Sequence, residues 1–372
     1  MRVAYNLFRR RLTIQNDSLP YTFNDISKKK LTNWLRVEAF APLRPVVPLG
    51  FPTHLQIEPT NNCNLRCELC PVSSQMNRTR GFMDLSVYRD LLDEIGEYLF
   101  FLFFWDWGEP FIHPSAFDMI AYAHEKKIRI ISSTNGHLFA DQHAADEAIR
   151  CGLDTLIFAV DGISQTTYEK YRHKGDLQKS VDGLRMLVER KKVLRSSTPL
   201  INFRFIVMKH NEHEIERLPS FVRKLGANVL TLKTLNPLAD NTYGDKPDGI
   251  KNYDLVPQNP RYSRFIFDEN GRPVRRKRNA CRNLYNSSTI HWNGTVCPCT
   301  YDYDDRFVLG NLHNNSFEDI WEGSAYRAFR DRFRRNDPKN HFCYECSYAF
   351  KGGSCIDETV LPAVYFDGHR GK

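Results

Sequence analysis

Between residues 54 and 236 the chain repeats one pattern six times: a short apolar strand, a polar turn, then a segment with helical spacing. The strand-like runs are HLQIE (54–58), FLFFWD (101–106), IRIISST (128–134), TLIFAV (155–160), INFRFIVM (201–208) and NVLTLKTL (228–235). One intervening helix sets Leu85, Tyr88, Leu91, Leu92 and Ile95 on a single face, with Asp84 before it as the cap. Strands rich in β-branched and aromatic residues, joined by helices, form a parallel sheet with helices covering it. Eight such units close a barrel. Six predict an α/β fold with a partial (βα)6 TIM-like barrel, open along one side.

The rest of the chain divides around this repeat. Residues 1–53 form a basic N-terminal extension with one helical stretch, SKKKLTNWLRVEAF, expected to pack on the barrel. Residues 237–280 are rich in turn formers and carry a predicted hairpin, FIFDENGRPV. A small α+β module is expected over 281–360, opening with two strands around Asn293-Gly294 and followed by a helix from Ser316. Residues 361–372 are a tail.

Charge excludes more than it identifies. Of the net +8, residues 1–50 contribute +6, nine Lys/Arg less three Asp/Glu. A solvated basic surface is the favoured reading over a specific anionic partner. No zinc-finger spacing or RNA-binding aromatic pattern points to nucleic acid. The extension's helix does not segregate its charges, which weakens the case for docking on a membrane surface. The run YLFFLFFW (98–105) is too short to span a bilayer and reads as a buried strand. The N-terminus lacks the apolar core of a secretory signal, so a cytoplasmic location is expected.

The ten cysteines are clustered. Cys63, Cys67 and Cys70 follow the first strand as C-x3-C-x2-C; Cys281, Cys297, Cys299, Cys343, Cys346 and Cys355 lie near the end. Cys151 stands alone at a predicted helix end and reads as an inert buried thiol. In a cytosolic chain such clusters suit zinc or an iron–sulfur cluster rather than disulfides. Structural zinc closes its shell with four ligands, and no histidine lies within the first loop. Three cysteines on a four-iron cluster leave one iron open.

The triad at the end of the first strand of a βα repeat resembles the radical S-adenosylmethionine (SAM) superfamily. That resemblance implies a [4Fe-4S] cluster held by Cys63, Cys67 and Cys70. SAM would chelate the open iron and be cleaved reductively to methionine and a 5′-deoxyadenosyl radical. Other stretches agree. WGEP (107–110) resembles the family's Gly-Glu motif, implying that Gly108 and Glu109 meet the SAM amino group. SSTNG (132–136) resembles the ribose-contacting loop, implicating Ser133 and Asn135. AVDG and YEKYRHKG resemble the stretches that would set Arg172 against the SAM carboxylate. Leu69 stands where an aromatic residue is common, and Ala159 replaces a serine.

The second group, Cys281-x12-Gly294-x4-Cys299 and then Cys343-x2-Cys346, resembles the SPASM/twitch domain of radical SAM enzymes. It implies one auxiliary [4Fe-4S] cluster on Cys281, Cys299, Cys343 and Cys346; a four-cysteine zinc ribbon is the alternative. Cys297 and Cys355 are left over, as replacement ligands or hydrogen-atom donors to a substrate radical.

These resemblances imply a radical SAM oxidoreductase. The substrate, a small molecule or a peptide, would lose hydrogen to the radical and an electron to the auxiliary cluster. A low-potential donor such as flavodoxin or ferredoxin would drive it. A peptide is less favoured, because no separate leader-binding domain of roughly 80 residues is evident. Epimerisation or peptide maturation is the alternative outcome. A zinc or iron–sulfur structural protein without SAM turnover is the alternative of another class.

Overall fold

The computed structural model describes residues 10–17, 19–74, 76–236, 253–267, 269, 273–275, 281–337, 343, 346 and 355–360. Six parallel strands run β3 (His54–Ile57), β4 (Phe101–Phe104), β5 (Arg129–Thr134), β6 (Thr155–Ala159), β7 (Leu200–Val207) and β8 (Val229–Thr234), each paired with its successor. Long helices lie between most of them, such as Leu85–Ile95 and Leu177–Val193. The first is capped as its sequence predicts: Ser86 N donates to Asp84 Oδ1 at 2.7 Å, and Tyr88, Leu91, Leu92 and Ile95 are buried. Leu55, Ile57, Leu102, Phe104, Ile130 and Leu156 belong to the main core beneath the helices.

Sequence periodicity misses how the N-terminal extension closes the barrel. β1 (Leu12–Asn16) and β2 (Leu19–Phe23) form an antiparallel hairpin ahead of the expected helix, Lys28–Phe40. Leu19, Tyr21 and Phe23 pack on Phe100, Phe101, Ile131, Ile157, Leu200 and Val229. Phe101, Leu200 and Val229 are the first residues of their strands. The hairpin therefore sits at the N-terminal mouth of the barrel. Tyr21 and Phe23 meet Phe101 edge-on, with centroids 5.2 and 5.3 Å apart, and Tyr21 Oη lies 2.9 Å from Thr155 Oγ1. Each ring so buried stabilises the seat by roughly 2 kcal/mol.

The predicted hairpin in the connection forms as β9 (Phe265–Phe267) against β10 (Pro273–Arg275). The strands around Asn293-Gly294 form as β11 (Ser287–Ile290) and β12 (Thr295–Cys297), extended by β13 (Gly310–Asn311). They build no sheet of their own: β11 runs parallel to β3, Ser287 opposite His54. At the opposite edge β14 (Cys355–Val360) pairs antiparallel with β8. The result is one ten-stranded sheet. Ser316 caps the helix Phe317–Trp321, and Trp321 Nε1 donates to Gly50 O at 2.9 Å, tying this module to the extension. Among the described residues no helix is long and apolar enough to cross a membrane.

Candidate active site

The loop after β3 is held rigid before its thiols begin. Arg78 forks onto buried Glu58 at 2.9 and 2.7 Å. Asn61 bonds Thr79 O and Gly81 N at 2.8 and 3.0 Å. Arg66 N and Glu68 N then donate to His173 O and Tyr171 O, both at 2.9 Å, so the cysteine loop is stitched to the segment carrying Arg172. Cys63, Cys67 and Cys70 line one cavity of about 370 Å³ together with Gly108, Glu109, Ser133, Asn135 and Arg172.

The glycine of WGEP is obligatory. Gly108 has φ +136°, and a Cβ there would stand 2.3 Å from Thr60 O. The close approach lets Glu109 N donate to Asn62 O at 2.8 Å and fixes its carboxyl in the cavity wall. Glu109 Oε2 accepts from Asn135 N at 2.8 Å, while buried Oε1 has no partner. Burial pushes this carboxyl up to about 7, and the hydrogen bond from Asn135 N offsets that only in part. Asn135 is held in turn by Asn64, its Nδ2 donating to Asn64 Oδ1 at 2.7 Å.

Arg172 has a partner that the candidate residues did not include. Its Nε and Nη2 lie 2.7 and 2.6 Å from Oδ2 of fully buried Asp161, and Nη1 points to Cys67 Sγ at 3.6 Å. Asp161 Oδ1 accepts from Ile206 N at 2.8 Å, which anchors the pair to β7. The signal was present, since Asp161 is the acid of AVDG.

A second cavity, of about 830 Å³, continues below toward the hairpin and is lined in part by Cys299. Trp105, Arg204, Lys233, Thr300 and Tyr301 line both cavities and form the waist between them. The thiol of Cys299 is raised by burial and by the neighbouring Cys343, Cys346 and Cys281, so the fold brings these four together. Cys297 points elsewhere. It is wholly buried, its Sγ 3.7 Å from both His291 Nδ1 and Asp305 Oδ1, and it lines neither cavity. Cys355 opens β14 opposite Lys233; its side chain lies outside the described residues. Cys151 is buried at a helix end with its thiol pushed up to about 12, as expected of an inert residue.

The donor sets fit iron–sulfur clusters. Burial raises the thiols of Cys63, Cys67 and Cys70, the first to about 12, so thiolates here need a bound cation to be stable. The orphaned Glu109 Oε1 in the same cavity suits an ammonium group.

This fold and site are those of a radical SAM enzyme with a C-terminal SPASM domain, and the chain belongs to that superfamily. It matches the Radical SAM superfamily over residues 57–222 and the SPASM iron–sulfur cluster-binding domain over residues 281–347. SAM and [4Fe-4S] clusters are the cofactors of these domains, and such an enzyme needs an electron donor. Among relatives, a tungsten-containing aldehyde ferredoxin oxidoreductase cofactor-modifying protein of Pyrococcus furiosus is 26% identical over 321 residues, 79% of this chain and 87% of that protein. An AdoMet-dependent heme synthase of Methanosarcina barkeri is 22% identical, covering 74% of this chain and 83% of its own. The mycofactocin maturase MftC of Mycobacterium tuberculosis is 24% identical, covering 86% and 82%. The fold is shared with Streptococcus suis SuiB bound to S-adenosylmethionine, at TM-score 0.57 and 14% identity over 88% of this chain and 77% of that one. It is also shared with anSMEcpe with bound AdoMet, at TM-score 0.55 and 16% identity over 82% and 89%.

Proposed function

We propose that this enzyme oxidises a small molecule held in the chamber between its two cysteine clusters. The observation that carries this reading is the waist. The same five residues line the cavity of Cys63, Cys67 and Cys70 and the cavity of Cys299, so one substrate can face both. When bound, the SAM-bearing cluster supplies a 5′-deoxyadenosyl radical for hydrogen abstraction, and the auxiliary cluster a one-electron acceptor. Cys63, Cys67 and Cys70 would hold the first, and Cys281, Cys299, Cys343 and Cys346 the second. Glu109, Ser133, Asn135 and Arg172 would orient SAM, with Gly108 admitting the close backbone contact.

Removing a hydrogen atom and then an electron from a substrate also releases a proton. Asp106 is our choice of acceptor. It lines the upper cavity, Thr300 Oγ1 donates to its Oδ1, and its buried Oδ2 has no hydrogen-bond partner. Burial, reinforced by Glu58, pushes the carboxyl up to about 7, where it can take a proton and pass it on. His291 Nε2 lies 3.7 Å from Asp106 Oδ2, and its Nδ1 is 2.5 Å from the half-buried Asp305. Epimerisation would need a hydrogen donor facing the chamber; of the two candidate thiols Cys297 lines neither cavity, and the side chain of Cys355 lies outside the described residues.

The test is anaerobic reconstitution with iron, sulfide and zinc measured per chain, and 5′-deoxyadenosine measured after reduction with SAM. About eight irons in the wild type, falling to about four when Cys63, Cys67 and Cys70 are all replaced by Ala, are expected. About four irons with one zinc would make the second module a structural ribbon and remove the electron acceptor.

A further inference from the structure

The two cavities meet at a pair of cations that the chain itself neutralises. Arg204 on β7 and Lys233 on β8 both line the waist. Between them lies Asp17, at the tip of the β1–β2 hairpin. Arg204 Nη2 donates to its Oδ2 at 2.6 Å and Lys233 Nζ to its Oδ1 at 2.8 Å. Asp17 adopts φ +47°, the left-handed conformation of a tight hairpin turn, which carries its carboxylate to the end of the hairpin. Burial opposes its charge, but Arg204 and Lys233 outweigh that and hold the carboxyl down at about 2.

Two features set this triad apart from an ordinary hairpin anchor. The hairpin is already seated by Leu19, Tyr21 and Phe23 on the barrel mouth, so adhesion does not require an ion pair. Arg204 is also incompletely used, since its Nε is enclosed without a hydrogen-bond partner, and the Asp17 side chain is still 27% exposed. Arg264, buried and bonded to Thr234 Oγ1 and O at 3.1 and 3.2 Å, adds a third cation to the upper cavity. The other charged residues lining the chamber are occupied or suppressed. Arg172 is paired with Asp161, and Glu38 with Arg282 at 2.9 Å. The Asp106 and Glu109 carboxyls are raised by burial, and burial lowers His54 to about 4, leaving it neutral. Among the described residues the chamber's waist is therefore a cationic, carboxylate-shaped site flanked by Trp105 and Tyr301.

We propose that Arg204 and Lys233 bind the carboxylate of a small-molecule substrate at this waist, and that Asp17 is the chain's own carboxylate occupying that place until substrate arrives. The proposal rests on reading the chamber as the substrate site and names the class of compound it takes. Arg supplies a planar fork and Lys a point charge, together matching the two oxygens of one carboxylate, as Asp17 demonstrates. An acid held there lies between the two cysteine clusters. Substrate binding would release Asp17 and loosen the hairpin tip.

Titration calorimetry on the reconstituted, SAM-loaded enzyme tests this, with benzoate and succinate as carboxylate probes and benzamide and inorganic phosphate beside them. The wild type is expected to bind a carboxylate at least about tenfold more tightly than benzamide, the scale of a charge-assisted hydrogen bond. Asp17→Asn removes the internal competitor and should tighten carboxylate binding on the order of tenfold. Arg204→Gln and, separately, Lys233→Gln should weaken it by about tenfold or more, and Arg204→Lys should restore part of the loss. Equal affinity for benzoate and benzamide would overturn the proposal. So would an Asp17→Asn enzyme that melts lower yet binds carboxylates no more tightly, since Asp17 would then be an anchor only. Preferred binding of phosphate would overturn the carboxylate assignment. Formation of 5′-deoxyadenosine by the wild type reports separately on the radical reading, so each idea can fail without the other.

Discussion

Replacing Glu109 by Gln should weaken SAM binding and, against usual expectation for a buried substitution, stabilise the protein without SAM. The carboxyl is raised from an ordinary 4.5 to about 7 because it is buried with Oε1 unpartnered. Such a rise makes the ionised form cost about 3 kcal/mol, at about 1.4 kcal/mol for each tenfold in proton affinity. The sign follows from which state holds the proton more firmly. Folded Glu109 stays protonated at a pH where the unfolded side chain has ionised, so the cost is absent below about 4.5 and complete above about 7. A ligand ammonium would offset that cost, which gives the strained carboxylate its use. Gln keeps an oxygen for Asn135 N and carries no charge. The measurements are melting temperature from pH 5 to 8 without SAM, and SAM affinity by calorimetry, both on reconstituted enzyme. The variant should melt higher at pH 8, with the gap closing toward pH 5, and should bind SAM roughly 10- to 100-fold more weakly with unchanged iron content. Unchanged SAM affinity, or a lower melting temperature at pH 8, would refute the role given to Glu109.

Two other substitutions probe the frame around it. Gly108→Ala combines φ +136° with a Cβ 2.3 Å from Thr60 O, so a loss of at least about 3 kcal/mol is expected, read as a lower denaturant midpoint and lost SAM binding. Asp161→Asn leaves the largely buried Arg172 without its counter-charge and should cost about 3–5 kcal/mol in chemical unfolding, whereas an exposed pair such as Arg185–Asp182 should contribute below about 1 kcal/mol.

What could be read from the linear chain was whatever depends on neighbours in sequence. The six barrel strands fall where apolar periodicity sets them, within about two residues at each end. Asp84 and Ser316 cap the helices that follow them, and Asn293-Gly294 makes its turn with Gly294 at φ +78°. The triad and WGEP could be recognised because a cluster and a tight turn require fixed spacings of Cys and Gly. Asp161 stands in AVDG, but its importance comes from the guanidinium eleven residues on, which its own local pattern does not mark.

Contacts that depend on closing the barrel were not legible. Asp17 meets Arg204 and Lys233 across separations of 187 and 216 residues, and no local pattern in LTIQND marks it as their partner. Likewise, Cys297 and Cys299 are two residues apart, yet one faces His291 and Asp305 while the other joins Cys281, Cys343 and Cys346. Sequence determined which chemistry the chain can hold, because ligand spacing and strand period are short-range properties. Only the tertiary structure decided which charges face the chamber, because that follows from how β7, β8 and the N-terminal hairpin converge, and convergence over such distances leaves no periodic trace.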